Sequence, residues 1–170
     1  MIDEHSQRQY QVRFDWGGMG AATVGADADV VIWVDALGAS EAPENAVRAS
    51  LRERTAVARW VVEQQGAKGD RFFVAVVAAG EPRADGSLRF ALEDMLAAGG
   101  IIDALADVGI DYCAPEAAAV AAAYAGLRSA TGHLIGASAS GRELAAAGRR
   151  AEVDAAIEVD AVAGFDPHTA

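Results

Sequence analysis

Four carboxylates of this chain fall where an apolar run gives way to the next element. Asp35 lies near the end of ADVVIWVDAL (28–37), Glu81 directly follows RFFVAVVAAG (71–80), and Glu93 and Asp94 sit in the helix-patterned stretch after it. In open α/β sheets, ligands bind beyond the carboxyl ends of the strands. The four acids are therefore expected to converge on one crevice. Hard oxygen donors suit Mg²⁺, which takes one or two protein carboxylates and keeps several waters. Such an ion polarises a phosphoryl group or activates water. Each acid also has a plainer reading. Glu93 and Asp94 flank an apolar stripe, where an amphipathic helix keeps solvated charges. Asp35 can cap the turn after its strand, and Glu81 before Pro82 can be an ordinary turn residue.

Arg83, Arg89 and Arg52, with Arg48 and Arg54, offer planar forks that match phosphate and carboxylate oxygens. Surface pairing with nearby acids is their alternative role. Ser138 and Ser140 precede Gly141 and a helix start, which is an anion-binding position or simply a cap. The three histidines, His5, His133 and His168, stand in no metal-ligand spacing, so a zinc site or Ser-His-Asp triad has little support. The single Cys113 reads as a core or loop thiol. GGMG (17–20) forms neither GxGxxG nor a P-loop, so no nucleotide fingerprint is present.

The elements that must position these groups alternate between strand and helix. YQVRFDW (10–16) has the period of a half-buried strand, GGMG breaks it, and AATVGADA suits a short helix. The runs at 28–37 and 71–80 read as strands buried on both faces, as in a parallel sheet. Residues 38–45 are turn-rich. A helix is expected over 49–65 with Ser50 as cap, and another over 87–109 from Ser87 to Gly109. A third runs from Pro115 to about Ser138, and a shorter one over 141–150 has Ser140 as cap. Residues 151–162 suit helix or strand. The pattern implies one α/β domain over 1–170, with a small mixed or mostly parallel sheet flanked by helices. Residues 1–9 and 164–170 are expected to be loose tails.

Composition narrows the partners. The net charge of -11, from 25 acidic and 14 basic side chains, repels phosphate backbones, so nucleic-acid binding is not expected. No run approaches the roughly 20 apolar residues of a membrane span, and MIDEHSQRQY has no apolar core. No signal peptide or membrane partner is expected, and a cytoplasmic location is the simplest reading.

AGEPRADGSLRFALEDMLAAGGII resembles the strand–turn–helix signature of the 2-phosphosulfolactate phosphatase family, whose helix has an LEDLLCAGAIV-like core. Ala97 stands where the family often has Cys. RFDWGGMGAATVGADADVVIWVDAL is similar to the family's amino-terminal strand, helix and DVL strand; ASLRERTAVARWV to its GSLLNASAVA-like helix start; and SASGRELAAAGRRAEVDAAIEVDA to its carboxy-terminal SxxGxxL…G…D segment. The chain is read as a shortened member. GASEAPENAVR replaces a longer central segment with a Thr-rich strand, GASE replaces an SFTT-like continuation, Glu53 takes the place of Asn, and AGFDPHTA that of a VVP-like strand.

The resemblance implies Mg²⁺-dependent hydrolysis of a phosphate monoester on a small 2-hydroxy acid, with Mg²⁺ as cofactor. On that basis Asp35, Glu81 and Glu93 are the expected catalytic residues. Together with Asp94 they are also the expected metal ligands. Arg83, Arg89, Arg52, Ser138 and Ser140 are expected to bind substrate. The alternative is a non-catalytic relative acting as a binding or assembly module. Loss of the central strand would then expose a sheet edge and favour a homo-oligomer.

Overall fold

The computed structural model describes residues 4–168. Strands β1 (Val12–Trp16), β2 (Val30–Val34), β3 (Ala46–Arg48) and β4 (Val74–Ala78) form a parallel sheet in the order β1-β4-β2-β3. The central β4 is wholly buried along its VAVVA run. Its side chains alternate between two apolar layers. Val74, Val76 and Ala78 face the main core, and Ala75 and Val77 face a smaller cluster with Ala21, Val24 and Trp33.

The smaller cluster lies under α1 (Gly17–Val24). The main core lies under α2 (Arg54–Lys68), α3 (Leu92–Asp107) and α4 (Pro115–Leu127). Three short helices follow: α5 (Thr131–Ala137), α6 (Ala139–Ala146) and α7 (Arg150–Ala156). This is the expected α/β class, with its main sheet entirely parallel. Among the described residues, no helix is long and apolar enough to cross a membrane.

Several local expectations change. The GGMG break is the first turn of α1. β3 pairs beside β2, just past the turn-rich stretch. The half-buried reading of β1 does not hold: Val12, Arg13 and Phe14 are all buried. Arg13 is 1% exposed because every arm of its guanidinium has a partner. It donates to the carbonyls of Tyr10, Val24 and Arg8 and to Asp27, and it lies over the Phe73 ring.

The helix expected from Ser87 begins at Leu92. The intervening residues form a ribbon of β5 (Glu81–Pro82) and β6 (Leu88–Arg89). Ser87 caps no helix; its amide and hydroxyl both donate to Asp85, at 2.9 and 2.6 Å. The helix from Pro115 tightens into a 3-10 turn at Arg128–Ala130, where the Thr131 hydroxyl donates to the Leu127 carbonyl. Ser138, not Ser140, caps α6 by accepting from the Gly141 amide at 3.1 Å. Ser50 caps the 3-10 turn that leads into α2, in a capping box with Glu53.

The two tails expected to be loose are tied down where they are described. Gln7 exchanges two hydrogen bonds of 2.9 Å with the Phe14 backbone, and the Phe165 ring meets Trp60 edge-on at 5.4 Å. Residues 1–3 and 169–170 lie outside the described residues.

α3 and α4 cross closely because Gly99 presents no side chain. A Cβ there would stand 2.5 Å from the Val120 carbonyl oxygen and 2.8 Å from Tyr124 Cβ. Gly99→Ala is expected to destabilise the fold by about 2 kcal/mol or more, despite alanine's better helix propensity. Gly126→Ala, with nothing within 4 Å of its added Cβ, should instead gain about 0.5–1 kcal/mol. Urea denaturation of the two variants checks both signs.

Candidate functional site

The site stands at the carboxyl ends of β2 and β4. These strands run side by side, with Val34 opposite Ala78, and the Ala79 amide donates to the Val34 carbonyl at 2.8 Å. The loop after β2 and the loop after β4 therefore emerge at the same level. α3 starts just beyond them, which brings Glu93 and Asp94 of its first turn to the same place. Carboxylates are favoured there by the partial positive charge of a helix N-terminus.

Asp94 joins the two strand ends. One of its oxygens accepts from the Ala36 amide at 2.8 Å, and the other from the Gly80 amide at 2.9 Å. The side chain is buried. Burial raises its pKa to about 7, and the charges of Asp35 and Glu93 push the same way. The Ala36 and Gly80 amides pull against them.

Asp35 organises the loop after β2. Its carboxylate accepts from the Gly38 amide at 2.7 Å, the Ser40 amide at 2.8 Å and the Ser40 hydroxyl. A Cβ on Gly38 would come within 2.3 Å of that carboxylate, so only glycine allows the loop to wrap this tightly. Asp35 is thus the turn cap of the plainer reading, and it also faces the cleft.

Glu93 is different. It is 4% exposed, lines the cleft, and among the described residues it has no hydrogen-bond or ion-pair partner. The reading of Glu93 and Asp94 as solvated helix charges does not survive, because both are buried.

These residues line a cleft of about 470 Å³, within the range that small-molecule sites occupy. The hairpin supplies Glu81 and Pro82 to one wall, and α6 and the turn after it supply Ser140, Glu143, Leu144, Ala147 and Arg149 to another. The cleft thus gathers Asp35, Glu81, Glu93, Asp94 and Ser140. It does not gather the expected arginines. Arg89 pairs across the ribbon with Glu81, and Arg83 reaches the Ser87 hydroxyl and Leu88 carbonyl. Arg52 pairs with Glu158 at 3.3 Å and lines a smaller neighbouring cavity. Ser138 does not line the cleft; it serves as a helix cap.

Among the described residues, no group of three or more His, Cys, Asp or Glu side chains is placed to hold a metal ion. A closed protein cage is therefore not the form a metal site would take. The donor set suits an ion that borrows few protein ligands: Glu93 is a hard-oxygen donor on the cleft wall with no protein partner among the described residues, and Asp35 keeps lone-pair capacity beyond its three bonds.

The family model for 2-phosphosulpholactate phosphatase matches residues 34–164. The chain belongs to this family. No curated protein matches it. The matched stretch of this phosphatase family contains every residue that lines the cleft, from Asp35 to Arg149, whereas β1 and α1 lie before it.

Sequence reasoning missed Glu143, Leu144 and Arg149 as cleft residues. Residues 141–150 read as one helix, which would carry Arg149 along its axis. Instead α6 ends at Ala146, and Gly148, at a left-handed φ of +78°, turns the chain before α7. The Gly-Arg-Arg that closes this segment was the available signal, since glycine just past a helix end reverses the chain.

Proposed function

We propose that this cleft hydrolyses a phosphate monoester carried by a small 2-hydroxy acid, with Mg²⁺ held by Glu93 and Asp35. The observation that carries the reading is Glu93, which lines the wall of an acidic cleft with no protein partner among the described residues. Its charge stands among those of Asp35 and Asp94, and a cation in the cleft would offset their mutual repulsion. Family membership supports the phosphatase class.

When bound, Mg²⁺ would neutralise phosphoryl oxygens and orient the attacking water. The chain's own groups do the rest. Asp94 holds the two strand ends together and so fixes the Asp35 loop against the start of α3. Arg89 balances the charge of Glu81 at the mouth, and of the other cleft acids Glu93 and Asp35 are the two assigned to the ion. Ser140 lines the cleft wall, and its hydroxyl would donate to an anionic oxygen.

Phosphate release from 2-phospholactate, phosphoglycolate and 2-phosphosulfolactate, with and without Mg²⁺, tests this. The expected result is release that requires Mg²⁺. No release above background from any of them overturns it, and would favour a non-catalytic relative. The exposed-edge idea then returns, because β3 has only β2 as a sheet partner among the described residues.

A further inference from the structure

We infer that Arg149 is the residue that binds the non-transferred acid group of the substrate, and that Glu152 is its built-in competitor. The inference rests on the proposed phosphatase reading for what the ligand is, but on the cleft itself for which residue meets it.

The cleft wall carries five carboxylates and, among the described residues, a single cationic side chain, Arg149. The substrate of the proposed reaction carries two anionic ends. One is the phosphoryl group, which the ion on the Glu93 side would neutralise. The other is a carboxylate or sulfonate, and it cannot settle against uncompensated acids. A guanidinium is the group suited to it, because its planar fork matches two oxygens at once. The arginines expected from the sequence are engaged elsewhere, with Glu81, the hairpin backbone and Glu158.

Arg149 already displays this binding mode. Its Nε donates to Glu152 Oε1 at 2.6 Å and its Nη2 to Oε2 at 2.7 Å, a two-point grip on a carboxylate. Both side chains are more than half exposed, so the pair is held weakly and exchanges readily with a competing anion. Glu152 has somewhere to go. It lines the adjoining cavity of about 280 Å³ with Arg52, whose Nε is buried without a hydrogen-bond partner. That cavity and the cleft share Leu37 and Gly38, so they lie on either side of one loop.

The test uses the full chain with Mg²⁺ and the variants Arg149→Gln and Glu152→Gln. Calorimetry measures binding of sulfoacetate, an acid with no phosphate. Kinetics compare phosphoglycolate with phenyl phosphate, an ester with no second acid group. Arg149→Gln is expected to weaken sulfoacetate binding and raise KM for phosphoglycolate by about 10- to 100-fold, the loss that follows removal of charge-assisted hydrogen bonds. It should leave kcat/KM for phenyl phosphate within about twofold. Glu152→Gln should tighten sulfoacetate binding and lower KM for phosphoglycolate by about two- to fivefold.

Unchanged sulfoacetate binding and phosphoglycolate KM in Arg149→Gln overturn the inference. So does an equal loss with phenyl phosphate, which would place Arg149 on the phosphoryl group. A wild-type chain that binds no sulfoacetate overturns it too. Arg149-dependent sulfoacetate binding without phosphate release would refute the phosphatase reading and leave this inference standing.

Discussion

Replacing Glu93 by Gln is expected to make the metal-free protein more stable and to abolish its response to Mg²⁺. The two effects share one cause. Glu93 has no protein partner among the described residues and lines the cleft beside Asp35 and Asp94, where its charge pushes the Asp94 pKa up, so the like charges oppose one another. The amide is nearly isosteric and carries no charge. Removing the charge should raise stability without metal by about 1 kcal/mol, or about 2–4 °C in Tm for a chain of this size. In the wild type, Mg²⁺ at about 100 times its dissociation constant should add about 2.7 kcal/mol; in Glu93→Gln that gain should vanish. Mg²⁺-dependent phosphate release should fall by about 100-fold or more, since the charge that holds the ion is gone. Thermal scans with and without Mg²⁺, beside a phosphate-release assay, measure all three. A variant that is less stable without metal yet still stabilised by Mg²⁺ would show that Glu93 serves packing rather than the ion.

The second large effect belongs to Asp94. Asp94→Ala leaves the Ala36 and Gly80 amides without their acceptor. Two part-buried donors lose their bonds at once, which should cost about 2 kcal/mol or about 4–8 °C in Tm. Asp94→Asn keeps one acceptor oxygen and should fall between the variant and the wild type.

The same residue sets a pH dependence. Its folded pKa is raised to about 7, against an unfolded value of about 3.9. Between those values the native state holds a proton that the unfolded state has released. The stability from this group is therefore complete below about pH 4 and declines as pH rises to about 7. The decline should amount to about 2–4 kcal/mol in the wild type. Asp94→Asn should lack this contribution to the slope. Urea midpoints at pH 5, 6, 7 and 8 for both proteins test this, and parallel curves would refute it.

Much of the frame was legible from local patterns. The unbroken apolar runs around Val30–Val34 and Val74–Ala78 are what strands covered on both faces require. The LEDMLAAGGII segment reads as helix and carries the family resemblance, and the family match agrees with it. Other elements were not legible. Leu88 and Arg89 follow a Ser that resembles a helix cap, yet they pair with Glu81 and Pro82. Leu88 lies over Gly17 and Gly80, and contacts with such distant residues leave no local periodicity. The alternation of YQVRFDW sets Arg13 on the face opposite Val12 and Phe14. Only the arrival of Asp27 and of the Val24 carbonyl makes its burial tolerable.

The candidate site divides in the same way. Sequence alone determined that acids follow the two central strands and open the helix after β4, because chain order and apolar patterning place strand ends and helix starts. It also determined the acidic charge of the chain and its kinship. Tertiary structure decided what each acid does. Asp35 wraps its own loop, Asp94 ties two strand ends that are far apart in sequence, Glu81 is balanced by Arg89 across the ribbon, and Glu93 lines the cleft with no protein partner among the described residues. It also decided which arginine faces the cleft, bringing in Arg149 and leaving out Arg52, Arg83 and Arg89. The reason is physical: the residue type sets which charge is available, but burial and the nearest partner set whether that charge is spent on the fold or left for a ligand, and both depend on residues remote along the chain.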